Sequence, residues 1–184
     1  MWNAIELIVL WLVAQAAVTD LALRKIPNLL IVSGLALALV LHLLAKPPSA
    51  LLTHWLAGML TGFFLLLPLY LLRGMAAGDV KLMAMVGCFL GPQAACQVAV
   101  LTYLLGAPLA LATLLWQGWR RGNALATVRL LGSNLRRLLQ PLLGRLVGLP
   151  LASLPGSAIA SVGGMPYGVA IALATAAVVA WPHR

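Results

Sequence analysis

The chain has 184 residues, of which 63% are hydrophobic and 8% charged, and its mean hydropathy is +1.05. Too few polar side chains remain to cover a globular surface, which excludes an ordinary water-soluble domain and predicts an all-α, polytopic integral membrane protein. The formal charge of +9 would suggest nucleic acid in a soluble protein; in a membrane chain it follows from Lys and Arg gathering on cytoplasmic loops, so no nucleic-acid partner is expected.

Ile5 to about Leu23 forms the first apolar segment. Ala14-Gln15-Ala16 imitates a signal-peptidase site, but a basic leading region is missing and Glu6 stands where a positive charge belongs. An uncleaved first span is predicted. Its polar end, Thr19-Asp20, leads through Arg24 and Lys25 to Ile26-Pro27-Asn28, where proline suits the first turn of a new helix. Asn28–Ala45 is the second span, closed by Lys46-Pro47-Pro48, and the third runs from about Leu51 to Leu72. Each is long enough, since roughly 20 residues cross a bilayer core of about 30 Å. Gly58 and Gly62 make a GxxxG step in the third, read as a close helix-packing surface.

The stretch Gly74-Met75-Ala76-Ala77-Gly78-Asp79-Val80-Lys81 follows, a carboxylate between a glycine-rich bend and an apolar run. The run from Val80 ends at Gly91-Pro92, so the fourth segment rises only about 20 Å even counted from Gly78. A segment this thin leaves its charged start recessed below the membrane surface or open to a water-filled cavity. The fifth span extends from about Gln93 to Trp116, with Pro108 as a kink site. From 117 to about 150 the pattern changes to Arg120, Arg121, Arg129, Arg136, Arg137 and Arg145 among leucines, and Asn123–Gln140 suits an amphipathic helix on an anionic leaflet. Met165-Pro166-Tyr167-Gly168 then opens a last apolar run ending near Trp181. The expected whole is a single membrane-embedded domain, 1–184, of about six spans with an arginine-rich cytoplasmic loop.

Loop charge orients it. The odd-numbered loops hold Arg24, Lys25, Arg73, Lys81 and the six later arginines, against Lys46 and Arg184 on the other side. By the positive-inside rule the odd loops are cytoplasmic and both termini lie outside. Asp20 and Asp79 therefore share one depth and one face. With Glu6 they are the only acidic residues in the chain, and an ionisable group at the edge of hydrocarbon costs a few kcal/mol, roughly, which makes function the default expectation. Two carboxylates at a common depth in a partly dry site cannot both ionise cheaply, so one proton would be shared between them. In an aspartic protease the ionised member of such a pair takes a proton from water while the protonated member polarises the scissile carbonyl. The pair titrates as a unit, and no separate acid and base are assigned. The alternative is that Asp20 only pairs with Arg24 and Asp79 with Lys81.

Other chemistries find little support. His42, His54 and His183 lack the i, i+4 spacing of an HExxH helix. Ser153, Ser157 and Ser161 stand outside any GxSxG elbow, and Cys88 and Cys96 form neither a zinc-ribbon pattern nor an evident disulfide framework.

At Asp20 with Arg24-Lys25-Ile26-Pro27-Asn28, at Gly78-Asp79-Val80-Lys81, and at Pro166-Tyr167-Gly168, the chain resembles the type IV prepilin peptidases, intramembrane aspartic proteases of GxGD type. The likeness is to the short form that accompanies tight-adherence (Flp) pili, and it extends over essentially the whole chain. It implies cleavage of the basic leader of prepilins and pseudopilins at the cytoplasmic face of the bacterial inner membrane, with Asp20 and Asp79 at the two catalytic positions. One departure is Ala76 where the motif has its first glycine. The resemblance also implies no metal, no cofactor and no methyltransferase activity, because the paired CxxC motifs of the long members are missing. Lys81 is placed either to act on Asp79 or to reach lipid phosphate. Asn28 is placed to contact substrate backbone or, preferably, to cap the second span, and Pro166, Tyr167 and Gly168 to open the last helix near the site. Two rivals stand beside a peptidase: a carboxylate-based proton or cation transporter, whose acids belong near the midplane between broken helices, and a non-catalytic scaffold of a secretion machine. Oligomeric state is not legible.

Overall fold

The computed structural model describes residues 3–45, 51–71, 75–120 and 167–181, all of whose regular structure is helical. The helices are α1 (Ala4–Leu23), α2 (Asn28–Ala45), α3 (Ala57–Leu71), α4 (Ala77–Leu90), α5 (Pro92–Arg120) and α6 (Tyr167–Ala180). A π-helical stretch, Leu51–Leu56, runs directly into α3. The expected arginine-rich amphipathic helix, Asn123–Gln140, and Pro166 fall outside the described residues.

Helix ends follow from local chemistry. At the start of α1 the Asn3 N–H donates to Glu6 Oε2 at 2.9 Å, so the acid that displaced a positive charge from the N-terminal region satisfies an orphan backbone donor. At its other end Arg24 takes a left-handed conformation, φ 54°, and its N–H donates to the Asp20 carbonyl at 2.9 Å. This reverses the chain one turn beyond Asp20. Helix α2 begins at Asn28, with Pro27 just before it. The sequence placed Pro27 inside the first turn, but it precedes that turn and its carbonyl accepts the Ile31 N–H at 3.4 Å.

Helix α4 is the centre of the packing. Every residue from Leu82 to Phe89 is buried, because this helix is apolar on all sides and touches α1, α2, α3, the π-helical stretch and α6. Its closest partner is α3, and the two glycines of the GxxxG step explain why. A Cβ on Gly58 would overlap the Gly87 carbonyl oxygen, a Cβ on Gly87 the Gly58 carbonyl oxygen, and a Cβ on Gly62 the Met83 carbonyl oxygen. The two backbones are in contact, as a small-residue step permits. On the other side α1 runs along α6, where Val9, Val13, Ala16, Ile171 and Ala174 are fully or almost fully buried.

Large apolar side chains remain on the outside. Trp11 is 62% exposed, Leu29 80%, Phe64 58% and Leu104 65%, a distribution that suits lipid rather than water. Among the described residues, two helical runs are long and apolar enough to cross a membrane, Ala4–Leu23 and Leu51–Leu71, while Asn28–Leu44 and Tyr167–Ala180 are shorter apolar helices. Helix α4, with 14 residues, rises about 21 Å. It is the thin segment the sequence predicts.

The chain divides into two compact units, one of residues 1–108 with 163–184 and one of 109–162. The first contains all the residues discussed below. Of the second, the described part is the end of α5, which continues through Pro108 as far as Arg120.

Candidate active site

Asp20 lies in the last turn of α1 and Asp79 in the first turn of α4. Both are buried, at 6% and 2% exposure, which is unusual for carboxylates and requires partners. Each has a backbone donor. The Gly168 N–H, at the start of α6, donates to Asp20 Oδ2 at 2.9 Å. The Ala76 N–H, just ahead of α4, donates to Asp79 Oδ2 at 3.1 Å. The two carboxylates also interact electrostatically with each other. Three helices that are remote in sequence thus bring two acids and two backbone donors together at one end of the unit.

Local sequence explains each placement. Ala76 has no side-chain oxygen to cap α4, so Asp79 reaches back to the Ala76 N–H, and the Asp79 N–H donates to the Ala76 carbonyl at 3.2 Å. A carboxylate in the first turn is also favoured by the partial positive charge of a helix N-terminus. Ala76 is extended, with φ −83° and ψ 155°, a conformation open to any L-residue. The departure from the motif glycine therefore carries no backbone strain.

Gly168 is needed for a different reason. A Cβ there would stand 2.9 Å from Asp20 Oδ2, 3.1 Å from its Cβ and 3.2 Å from its Cγ. Only a glycine lets the start of α6 come close enough for its N–H to reach the carboxylate. Gly78 is under less pressure, since its added Cβ would meet Ile26 at 3.4 Å and 3.7 Å, ordinary contact distances. It packs the start of α4 on the α1–α2 connection.

Lys81 and Asn28 meet each other rather than the aspartates. Lys81 Nζ donates to Asn28 Oδ1 at 3.2 Å, and both side chains are exposed. This corrects the expectation that Asn28 caps α2: it is the first residue of the helix, and its side chain ties α2 to α4. It also shows Lys81, two positions along from Asp79, turned away from it, as helix geometry dictates for i and i+2. Among the described residues no ion pair joins Asp79 to Lys81. Arg24 is within electrostatic range of Asp20, so that neighbour does contribute.

Tyr167, which the sequence places among the site-shaping residues at the opening of the last helix, brings a phenol. Its phenol lies within electrostatic range of Asp79 and of Tyr103. Its ring lies against Gly106 of α5, where a Cβ would approach Tyr167 Cε1 to 2.8 Å. The Tyr103 hydroxyl in turn donates to the Leu65 carbonyl of α3. Tyr103 and Gly106 support the site without any motif to announce them, because their contacts come from helix neighbours that sequence spacing does not specify. Among the described residues no group of three or more His, Cys, Asp and Glu is arranged to hold a metal ion. What the arrangement can do is general acid–base chemistry with two buried, mutually interacting carboxylates.

The family model of the type IV leader peptidase family matches residues 7–111, more than half of the chain, and the match includes both aspartates. No curated protein and no solved structure matches the chain.

Proposed function

The chain belongs to the type IV leader peptidase family, a membrane-associated family of aspartic-type prepilin peptidases, and we propose that Asp20 and Asp79 are its catalytic pair. The observation that carries this is the burial of the only two acids beyond the N-terminal turn, from separate helices, within electrostatic range of each other. The backbone N–H groups of Gly168 and Ala76 hold the Oδ2 atoms, and the Oδ1 atoms face a water molecule across which one proton is shared. The ionised member takes a proton from that water as it attacks the scissile carbonyl. The protonated member donates to the carbonyl oxygen, and the amide nitrogen leaves with the proton first drawn from water. Tyr167 and Gly168 shape the site from α6, Gly78 from the start of α4 and Ile26 from the α1–α2 connection, and the Asn28–Lys81 bond fixes α2 to α4 beside it. Pro166 opens α6.

The substrates are prepilins and pseudopilins of the tight-adherence (Flp) type, which lose a basic leader just ahead of their hydrophobic helix. Placement of both acids at the end of the bundle that carries Arg24, Lys25 and Lys81 supports cleavage at the cytoplasmic face of the bacterial inner membrane, with about six spans and both termini outside. No nucleic acid, cofactor or methyl transfer is involved. Co-expression with a candidate prepilin, with precursor size followed by electrophoresis, tests the assignment. Mature pilin should form with the wild-type chain and not with Asp20→Asn or Asp79→Asn; processing by either variant at the wild-type level would remove the protease assignment.

A further inference from the structure

The start of α6 delivers two groups to the acids. One is the Gly168 N–H, which donates to Asp20 Oδ2 at 2.9 Å. The other is the phenol of the residue just before it. The Tyr167 Cα is joined through one carbonyl carbon to that same nitrogen, so backbone dimensions keep it within about 5.3 Å of the Asp20 oxygen.

The Tyr167 ring has a fixed seat. From α6 it crosses to α5, where a Cβ on Gly106 would stand 2.8 Å from Tyr167 Cε1, 3.3 Å from Cδ1 and 3.8 Å from Cζ. One edge of the ring, including the carbon that bears the hydroxyl, rests on bare backbone, and a side chain at 106 would displace it. Tyr103, one turn earlier on the same face of α5, anchors that floor, because its hydroxyl donates to the Leu65 carbonyl of α3. The anchor lies in a turn of α3 that Pro68 leaves one backbone donor short.

The Tyr167 hydroxyl lies within electrostatic range of Asp79 and of Tyr103, yet among the described residues it makes no hydrogen bond. A phenol held beside a carboxylate by its ring, without bonding to it, is placed to donate to a third group lying between them. In a peptidase that group is the peptide being cut. When water adds to a carbonyl, its oxygen gains charge and accepts more than one donor. A phenol keeps its hydrogen at neutral pH, so it donates a hydrogen bond there without giving the proton away.

We propose that the Tyr167 hydroxyl donates a hydrogen bond to the scissile carbonyl oxygen as water adds to the carbonyl carbon, which makes Tyr167 a catalytic residue beside the acids. This rests on the assignment of Asp20 and Asp79 as the peptidase pair. As the bond from the water oxygen to the carbonyl carbon forms, the π pair moves onto the carbonyl oxygen. The protonated aspartate supplies its proton to that oxygen, and the phenol supplies a hydrogen bond and retains its hydrogen throughout. The bond is strongest when the oxygen carries most charge, so it lowers the barrier more than it tightens substrate binding.

The test is single-turnover cleavage of a prepilin by the full chain in detergent, over a range of enzyme concentrations and pH, with melting temperatures measured alongside. Tyr167→Phe keeps the ring on Gly106 and removes only the hydroxyl. Its maximal rate should fall roughly 100-fold, the usual effect of losing one such donor, with half-saturation and melting temperature unchanged. The limbs of its pH–rate profile should stay in place, because the hydroxyl acts on the substrate and not on the acids. A maximal rate within about threefold of wild type, a loss confined to half-saturation, or displaced limbs would each overturn the proposal. Gly106→Ala is an independent probe: by moving the ring it should slow the wild-type chain roughly tenfold and slow Tyr167→Phe no further, and equal slowing of both would count against the proposal. Asp79→Asn separates the two assignments. If it is inactive while Tyr167→Phe cleaves normally, only the role of the hydroxyl is lost; if Asp79→Asn itself cleaves normally, the catalytic pair is lost and the proposal with it.

Discussion

Gly168→Ala is the sharpest perturbation of the proposed catalytic geometry, because it adds one methyl group and removes no hydrogen-bonding atom. That methyl would sit 2.9 Å from Asp20 Oδ2 and 3.1 Å from Asp20 Cβ. The carboxylate cannot simply swing aside, since its Oδ2 accepts from the N–H of the same residue, and Asp20 Cβ is anchored to α1. Either α6 parts from α1 or Asp20 rotates out of its bond. Overpacking of this kind costs about 1–3 kcal/mol. If it falls on the reactive geometry, at about 1.36 kcal/mol per tenfold, it corresponds to a loss of roughly 5- to 160-fold in rate. The assay is single-turnover cleavage of a prepilin in detergent, with the melting temperature measured in parallel. A large rate loss with a modest shift in melting temperature is expected. Wild-type cleavage and stability together would refute the contact between α6 and Asp20.

Gly78→Ala should behave differently despite its place in the motif: its methyl meets Ile26 at ordinary distance, so cleavage should stay within about threefold of wild type, read in the same assay. Gly87→Ala should destabilise the fold by about 1–3 kcal/mol or more, because backbone stands on both sides of the contact with Gly58; a lower melting temperature checks this. Asn28→Ala and Lys81→Met each remove one exposed hydrogen bond, worth about 0.5–1.5 kcal/mol at most, and the double variant should cost no more than either single one. The pH–rate profile should be bell-shaped, with both limbs belonging to the aspartate pair, and a profile with one limb would argue against a shared proton.

Much of the fold was legible because apolar run length and breakers act locally. Gly91-Pro92 stops α4, and Arg24 and Pro27 frame the reversal between α1 and α2. The two aspartates stood out because charge is expensive beside hydrocarbon. Their backbone donors were less visible: Pro166-Tyr167-Gly168 pointed to a helix start, but nothing in spacing says that the Gly168 N–H meets an acid 148 positions earlier. The Asn28–Lys81 bond and the packing of His54 against Gly91 were likewise hidden, as both depend on how α2, α3 and α4 are rotated about their axes. The π-helical winding of Leu51–Leu56 shifts that rotation and has no compositional signal in the sequence.

A double-mutant cycle on prepilin cleavage probes the carboxylate pair most directly. Single-turnover rates are compared for the wild-type chain, Asp20→Asn, Asp79→Asn and the double variant, with melting temperatures confirming that each is folded. Two acids acting on one proton as a unit should make each single substitution as damaging as both together, with cleavage at background in all three. Additive partial losses, or a folded single variant that still processes prepilin at a substantial rate, would show that the two side chains do not act as one catalytic group.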